Sequence, residues 1–412
     1  MGCTNSTNAS KPQESLPTYL ELQNEGVMAA ILTKHGNKGV VGACEFENLS
    51  FKGGASGELW KCSLNMEDGS KTSVVFKCTK GTDDKDVTVQ MSKNFKLYRE
   101  SLYYTNFHAR ASKAGVGLPK IWLSTYDPET GRQLIVMEDL CHTVTVDDIF
   151  PQDDPTKQKD MSELNAKAGI ELSILSCSKM CLAMLADMHA EFWMDKSLIK
   201  DHSHWLRGAN WRKGDKADFG EWLKLQSGMN QGTLNKADDA TGKLELSDLV
   251  RDCIKHSEEH TTYESTKAIW DQPGAVWTLT HGDFHSKQLM YDPTQKKIIM
   301  VDYELCGIGN PMADVATYLI MRFEPEQRKE MEGELVKCYY DALMKTGKVT
   351  GYTWEKCWED YLFFGANKFM FYVPLMGAYA PCVTVNYIGG HWGAFLADQN
   401  FDATKIASCL SQ

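Results

Sequence analysis

Apolar and polar residues alternate in two ways along this chain, and each way predicts a different kind of element. In the first third, short apolar or alternating runs are bounded by turn-forming residues, which is typical of β-strands. These runs are residues 44–51, 58–64, 72–78 and 133–140. Further on, apolar residues mainly recur every three to four positions, as at 172–193 and 354–372, which predicts helices. The pattern therefore predicts an α+β protein, with a sheet first and most helices after it.

Residues 278–303 depart from the helical pattern of the second part of the chain. Two short apolar runs lie there on either side of a polar loop, and each leads to an acidic residue, Asp283 or Asp302. We expect the runs to be buried strands that place the two carboxylates side by side at one end of a small sheet. Because adjacent carboxylates repel each other, a cation such as Mg²⁺ is their natural counter-ion.

The spacing around Asp283 is typical of phosphoryl transfer. His281 and Asp283 begin an H-x-D loop, in which the Asp receives the proton of an acceptor hydroxyl and a later strand-end Asp holds metal on a triphosphate. The fifth residue after Asp283, where this pattern has Asn, is Gln288. Since Gln offers the same carbonyl oxygen on a longer arm, we expect Asp302 and Gln288 to hold Mg²⁺.

A glycine-rich loop separates the first two predicted strands. The loop residues are Gly54, Ala55, Ser56 and Gly57. Glycines allow backbone N–H groups to approach phosphate oxygens closely, so the loop is a candidate for binding ATP. The loop has no Walker lysine, and taken alone it also fits an ordinary hairpin turn.

A lysine near the end of the third apolar run changes that picture. Lys77 follows Val-Val-Phe, and a lysine in such a run is normally paired or extends to solvent. Its expected partner is Glu100, in the amphipathic segment 95–107. A Lys–Glu pair that joins a strand to a helix, with the Lys also reaching phosphates, is the arrangement found in kinases.

Together these motifs resemble the aminoglycoside phosphotransferase and choline kinase-like superfamily of small-molecule kinases, which includes ecdysteroid kinase-like proteins. HGDFH at 281–285 and DYE at 302–304 match its H-G-D-x-H and D-[FY]-E motifs. The segment LADMHAEFW at 185–193 is similar to its L-A-x-x-H-A-x-F-W helix. The motifs follow the order of the superfamily, and the resemblance covers residues 49–319.

The resemblance implies a protein-kinase-like bilobal fold. Residues 20–137 would form a small N-lobe with an antiparallel sheet, and residues 138–412 a larger, mainly helical C-lobe. Glu138 and Leu140 would lie at the hinge that binds adenine. Asp314 would tie the backbone of the catalytic loop, with His281 in a supporting structural role. The implied reaction is ATP-dependent transfer of a phosphoryl group to a small-molecule hydroxyl, and fold analogy does not choose the acceptor.

Two other functions stay open. Gln288 in the Asn position keeps a pseudokinase, meaning a nucleotide-binding scaffold, among the alternatives. A protein kinase is the third, but only a short loop separates Asp302 from Asp314 and no A-P-E motif follows. Because so little chain is left to bind a peptide, the sequence favours a small-molecule acceptor.

Composition and the N-terminus narrow the partners and the location. A net charge of −11 argues against nucleic-acid binding, and thirteen scattered cysteines without a Cys-x-x-Cys pair favour reduced thiols in the cytoplasm. The first residues, MGCTNS, fit the motif for N-myristoylation of Gly2, and Cys3 is placed for a second acyl chain. Residues 1–19 are otherwise a predicted flexible tail. Because one acyl chain binds a membrane only marginally, peripheral membrane association would depend on both acyl chains.

Overall fold

A computed structural model describes residues 16–49, 57–81, 85–152 and 157–406 of the 412-residue chain. The chain divides into two compact units, Met1–Thr105 with Lys120–Asp139, and Asn106–Pro119 with Leu140–Gln412. The predicted lobe boundary lay between residues 137 and 138. The division differs from it chiefly because the segment Asn106–Pro119 belongs to the second unit.

The first unit is built on a five-stranded antiparallel sheet with strand order β1-β2-β3-β5-β4. The strands are β1 Val40–Asn48, β2 Gly57–Met66, β3 Lys71–Thr79, β4 Ile121–Asp127 and β5 Arg132–Glu138. Four helices accompany them in sequence: α1 Tyr19–Leu22, α2 Glu25–Lys34, α3 Val87–Phe95 and α4 Arg99–Asn106. Alternate residues of the central strands, such as Val74 and Phe76, are fully buried in one core with Met28 and Leu32 of α2. Strand β3 is therefore fixed by hydrogen bonds to β2 and β5 on its two sides and by the packing of its apolar side chains.

The second unit is mainly helical. Its helices are α5 His108–Lys113, α6 Met161–Ala168, α7 Ile174–Glu191, α8 Lys196–His202, α9 Ala209–Arg212, α10 Lys216–Leu234, α11 Asp248–His260, α12 Tyr263–Trp270, α13 Met312–Arg322, α14 Pro325–Lys345, α15 Trp354–Tyr379 and α16 Cys382–Asp398. Its short strands are β6 Val144–Thr145, β7 Thr278–Thr280, β8 Leu289–Asp292, β9 Lys297–Met300 and β10 Gly307–Gly309. They form a β6-β8-β9 sheet and a β7-β10 pair, both antiparallel. The predicted α+β class, with an antiparallel sheet and a mainly helical second part, is confirmed.

The long helix α15 contains a proline that another helix accommodates. Pro374 has no N–H, so the carbonyl of Met370, four residues earlier, loses its usual partner within the helix. The side-chain amide of Gln226 on α10 donates to that carbonyl over 2.7 Å. This contact helps to fix α15, which carries two residues of the candidate site, against α10. None of the helices in the described part of the chain combines the length and apolarity needed to cross a bilayer.

We predict that Gln226→Leu lowers the free energy of unfolding by about 1 kcal/mol, because it leaves the buried Met370 carbonyl without a donor. In a Pro374→Ala background the loss should shrink, since Ala supplies a backbone N–H to the same carbonyl. Chemical denaturation of the two single variants and the double variant measures this coupling. Equal losses in both backgrounds would contradict the assigned role of Gln226.

Candidate active site

The loop after β7 has a backbone shape that only glycine permits at its second position. Gly282 has a φ of +83°, and a Cβ atom there would lie 2.1 Å from the carbonyl oxygen of Leu305. Both facts exclude a side chain, because the left-handed conformation is strained for L-residues and the space is already filled. The glycine of the HGDFH motif therefore sets the course of the chain into Asp283.

Asp314, in the first turn of α13, holds this loop by its backbone. Its carboxylate accepts hydrogen bonds from the N–H groups of His281, over 2.6 Å, and Gly282, over 2.9 Å. The ring of His189 contacts it at 3.2 Å and is itself bonded to the Tyr339 hydroxyl. Burial disfavours a charge on Asp314, but the hydrogen bond and charge of His189 and the nearby ammonium of Lys368 keep its pKa below the usual value. Asp314 is thus an anion with fixed donors around it.

His281 connects the loop to the strand that leads to Asp302. Its Nδ1 accepts from the N–H of Asp283 at 3.3 Å, and its Nε2 lies 2.9 Å from the carbonyl oxygen of Val301. Since that carbonyl only accepts, Nε2 carries the hydrogen and the ring is neutral. Burial lowers the pKa of His281, which favours the same neutral form. The imidazole therefore fixes Asp283 relative to the residue before Asp302.

The carboxylate of Asp283 has contacts at both oxygens. The Tyr372 hydroxyl donates to Oδ1 over 2.9 Å, and Nε2 of His285 lies 3.4 Å from Oδ2. Burial opposes ionisation of Asp283, but the charge and hydrogen bond of His285 and the hydrogen bond from Tyr372 together hold its pKa well below the usual range. Burial lowers the pKa of His285, but the charge and hydrogen bond of Asp283 outweigh burial and raise it. Asp283 is consequently ionised at any ordinary pH.

Lys368 is a member of this site that our reading of the sequence did not identify. Its side chain on α15 is fully buried, and its Nζ donates to the carbonyl of Gly282 over 2.7 Å. Burial, with the charge of Arg207, lowers the pKa of Lys368 to about 7. Tyr372 lies four residues later, so one face of α15 supports both Gly282 and Asp283. The sequence feature that could have identified Lys368 is a single lysine inside an apolar segment, which is the feature that identified Lys77.

Asp302 and Gln288 lie together at the end of β9. Nε2 of Gln288 donates to Oδ2 of Asp302 over 2.7 Å, and the Asp302 backbone is left-handed, with a φ of +71°. A carboxylate and an amide oxygen are ligands of the kind that Mg²⁺ takes, so the residue types fit the predicted metal. The amide would have to turn over to present its oxygen. No cluster of three or more His, Cys, Asp or Glu side chains arranged for a metal occurs in the part of the chain that the structure describes.

The candidate phosphate-binding lysine lies in the first unit. Nζ of Lys77 on β3 donates to the Glu100 carboxylate on α4 over 2.6 Å, and the Glu100 side chain is only 1% exposed. Gly57, which begins β2, lies beside this lysine, since a Cβ there would be 3.3 Å from Cε of Lys77. The other predicted loop residues and acylation sites lie outside the described residues. They are Gly54, Ala55, Ser56, Gly2 and Cys3.

The two predicted hinge residues make contacts within their own units. The Glu138 carboxylate accepts from the N–H of Lys120 over 2.9 Å. The carbonyl of Leu140 accepts from the N–H and the hydroxyl of Thr143. Adenine binding by Glu138 and Leu140 stays a prediction.

Comparison with known proteins bears on this site. Residues 168–352 match the family model of the ecdysteroid kinase-like family, which confirms the resemblance to this superfamily of small-molecule kinases. The matched region includes Asp283, Gln288, Asp302 and Asp314, whereas Lys77 and Glu100 lie before it. With the antiparallel sheet and the helical second unit, this also confirms the predicted protein-kinase-like fold class. The sequence matches no curated protein.

Several solved structures are similar at low identity. An ethanolamine kinase from Plasmodium vivax is 13% identical with a TM-score of 0.46, over 88% of this chain and 84% of its own. Macrolide 2′-phosphotransferase type I is 12% identical with a TM-score of 0.47, over 92% and 98%. A choline kinase from Streptococcus pneumoniae is 12% identical with a TM-score of 0.44, over 90% and 99%. Similarities at this level carry no inference about substrate.

We predict that Lys368 makes the stability of this protein depend on pH between 7 and 9. In that range the unfolded chain keeps the lysine proton, with an ordinary pKa of 10.5, which the folded protein has largely lost because its pKa is about 7. The unfolded state then binds more protons, so stability rises with pH, by at most about 1.4 kcal/mol per unit. The free energy of unfolding of the wild type, minus that of Lys368→Met, should therefore increase from pH 7 to pH 9.

Lys337→Met is the matched control, because Lys337 is exposed to solvent in the folded protein and pairs there with the exposed Asp341. Its difference from the wild type should not change over this range. A pH-independent difference for Lys368→Met would show that Lys368 titrates alike in both states.

Proposed function

We propose that this protein transfers the γ-phosphoryl group of ATP to a hydroxyl of a small molecule, with Asp283 orienting that hydroxyl. The observation that carries the proposal is the HGDFH loop, whose backbone is fixed by Asp314 so that an ionised Asp283 follows it. The match to the ecdysteroid kinase-like family supports phosphotransferase activity toward small molecules in general.

The low pKa of Asp283 defines what it would do. Phosphoryl transfer passes through a loose transition state in which the acceptor proton leaves late, so a weak base is sufficient if it is well placed. Asp283 would accept the hydrogen bond of the acceptor hydroxyl and aim its oxygen, and positioning of this kind supplies much of the catalysis. A carboxylate has about four lone-pair sites. The contacts with Tyr372 and His285 therefore leave it capable of accepting a hydroxyl.

Asp302 and Gln288 would hold Mg²⁺. The ion would neutralise charge on the phosphate oxygens of bound ATP. The observation in favour is the pairing of a carboxylate and an amide at the end of β9. Asp302 would bind through its carboxylate and Gln288 through its amide oxygen.

Lys77 would bind the phosphates of ATP from the first unit. Glu100 holds the ammonium in place, since its nearly buried carboxylate needs a cation and Lys77 is 2.6 Å away. Gly57 has no side chain beside Lys77, whereas a Cβ atom there would lie 3.3 Å from Cε of the lysine and crowd it. Gly54, Ala55 and Ser56 complete the proposed ATP-binding loop, and Glu138 and Leu140 the adenine contacts.

One observation favours a second candidate, a nucleotide-binding pseudokinase. Gln288 turns its amide nitrogen to Asp302, which gives that carboxylate a neutral hydrogen-bond donor in the position proposed for metal. If the amide kept this orientation, Mg²⁺ would be held weakly. Acylation of Gly2 and Cys3 would then attach a scaffold to a membrane. The first of the following experiments separates this candidate from an enzyme.

We predict that Asp283→Asn lowers turnover by about 10²-fold or more, because Asn neither accepts the acceptor proton nor attracts it by charge. The measurement is ADP release in the presence of Mg²⁺, with an acceptor found by screening small hydroxyl compounds. The affinity for ATP should be unchanged. Asp341→Asn, on the exposed face of α14, is the control that should retain full turnover. Unchanged turnover in Asp283→Asn would remove the proposed role, and no Mg²⁺-dependent turnover with any acceptor would favour the pseudokinase.

We predict that Lys77→Met weakens ATP binding about tenfold or more, as expected for the loss of a charge-assisted hydrogen bond to phosphate. Glu100→Gln should also weaken it, but not further in the Lys77→Met background, because Glu100 would act only through Lys77. Calorimetric titration with ATP on the two single variants and the double variant measures this coupling.

The control for this cycle is Lys71→Met, on the same strand, where an exposed lysine pairs with exposed Glu45. It should bind ATP as the wild type does. Additive effects of the Lys77 and Glu100 substitutions would contradict a positioning role for Glu100.

A further inference from the structure

The second unit contains a cavity of about 230 Å³ that is separate from the catalytic loop. The cavity is lined by Gly309 at the far end of β10, together with residues of α12, α13 and α15. In the β7-β10 pair, Gly307 faces Thr280 next to the loop, whereas Gly309 faces Thr278 at the other end. The cavity therefore lies at the opposite end of this two-stranded sheet from Asp283.

Arg212 is the residue of the cavity wall that indicates a ligand. Its Nε is buried and has no hydrogen-bond partner among the residues that the structure describes. Its guanidinium lies over two aromatic rings, 4.9 Å from the centre of Trp270 and 5.5 Å from that of Trp277. Asp271 acts on it by charge from a distance, while the Asp271 carboxylate is itself bonded to Lys267. Desolvation lowers the pKa of Arg212 to about 10, although the charge of Asp271 opposes the shift.

Arg212 as a whole is only partly buried, but a buried N–H without an acceptor is costly, and proteins normally satisfy such groups with a carboxylate or another oxygen. The cavity has room for one, because cavities of roughly 150 Å³ already admit benzene. Its wall is largely apolar, with Ile269, Val276 and Phe363 among the lining residues. We propose that this cavity binds a small aromatic monocarboxylate, with the carboxylate on Arg212 and the ring against the apolar wall.

The other charges in the cavity favour a single negative charge on the ligand. Lys356 is paired with Asp360, which also accepts from Asn310 and Tyr352. Glu359 adds a further carboxylate to the lining. Because the Lys356–Asp360 pair is neutral, Glu359 adds a net negative charge that disfavours a dianion such as a phosphate monoester, whereas one carboxylate satisfies the single guanidinium of Arg212.

The test is a calorimetric titration of the full chain with sodium benzoate and, separately, with benzamide, its uncharged analogue of nearly the same shape. We expect saturable binding of benzoate, and affinity for benzamide about tenfold or more lower. Arg212→Met should weaken benzoate binding by a similar factor. Lys213→Met, at the next and exposed position, should leave it unchanged. Because the readout is binding, the result is independent of whether the protein proves to be a kinase.

The stability of the variants separates a ligand site from a structural arginine. Arg212→Met keeps the apolar stem and removes a charged group whose buried Nε has no acceptor, so it should melt no lower than the wild type without ligand. Arg212→Lys keeps the charge and should retain part of the benzoate affinity. Absence of saturable benzoate binding to the wild type, equal binding to Arg212→Met or to benzamide, or a marked loss of melting temperature in Arg212→Met would each overturn the proposal.

Discussion

The carboxylate of Asp314 is the contact on which the candidate site depends. It lies in the interior, where an anion is stable only with donors around it, and two of those donors are the backbone N–H groups of His281 and Gly282. The requirement works in both directions, because the same two N–H groups would be buried without acceptors if the carboxylate were absent. The left-handed turn at Gly282 follows from this anchoring, and it brings the loop against Leu305. Asp283 therefore takes its position from a backbone that cannot readily adopt another shape.

The partly buried Lys77 and the fully buried Lys368 show how one residue type is adapted to different tasks. Lys77 faces the carboxylate of Glu100 at 2.6 Å, so its ammonium has an opposite charge beside it. Lys368 faces the neutral carbonyl of Gly282, and burial brings its pKa close to 7. A lysine of the first kind suits an anionic ligand such as a phosphate. A lysine of the second kind supports a loop by hydrogen bonding in either protonation state, without placing a fixed charge beside Asp283.

The local parts of the fold and site were predictable from the sequence. The apolar runs predicted β1, β2, β3, β5, β7 and β9 but missed β4, and the expectation of one small sheet behind both acids was wrong, because β7 pairs with β10 whereas β9 pairs with β8. The spacing of His281, Asp283 and Asp302 indicated a catalytic loop followed by a strand-end acid. The ends of helices were less predictable. The segment 95–107 was predicted as one amphipathic unit, but α3 ends at Phe95, where Lys96 adopts a left-handed conformation, and a separate helix α4 follows. Contacts that join distant parts of the chain were not predictable. Lys368 and Tyr372 lie 86 and 89 residues beyond their partners in the loop, and spacing carries no signal at such separations.

The central claim is that Asp283 directs a hydroxyl onto the γ-phosphorus of ATP, and ³¹P NMR of the reaction mixture tests it most directly. With Mg²⁺, ATP and an accepted hydroxyl compound, the account predicts that the γ-phosphate signal is lost while ADP and a phosphate-ester signal of the acceptor grow in equal amounts. Release of inorganic phosphate without an ester, or an unchanged ATP spectrum across a broad panel of hydroxyl compounds, would contradict it.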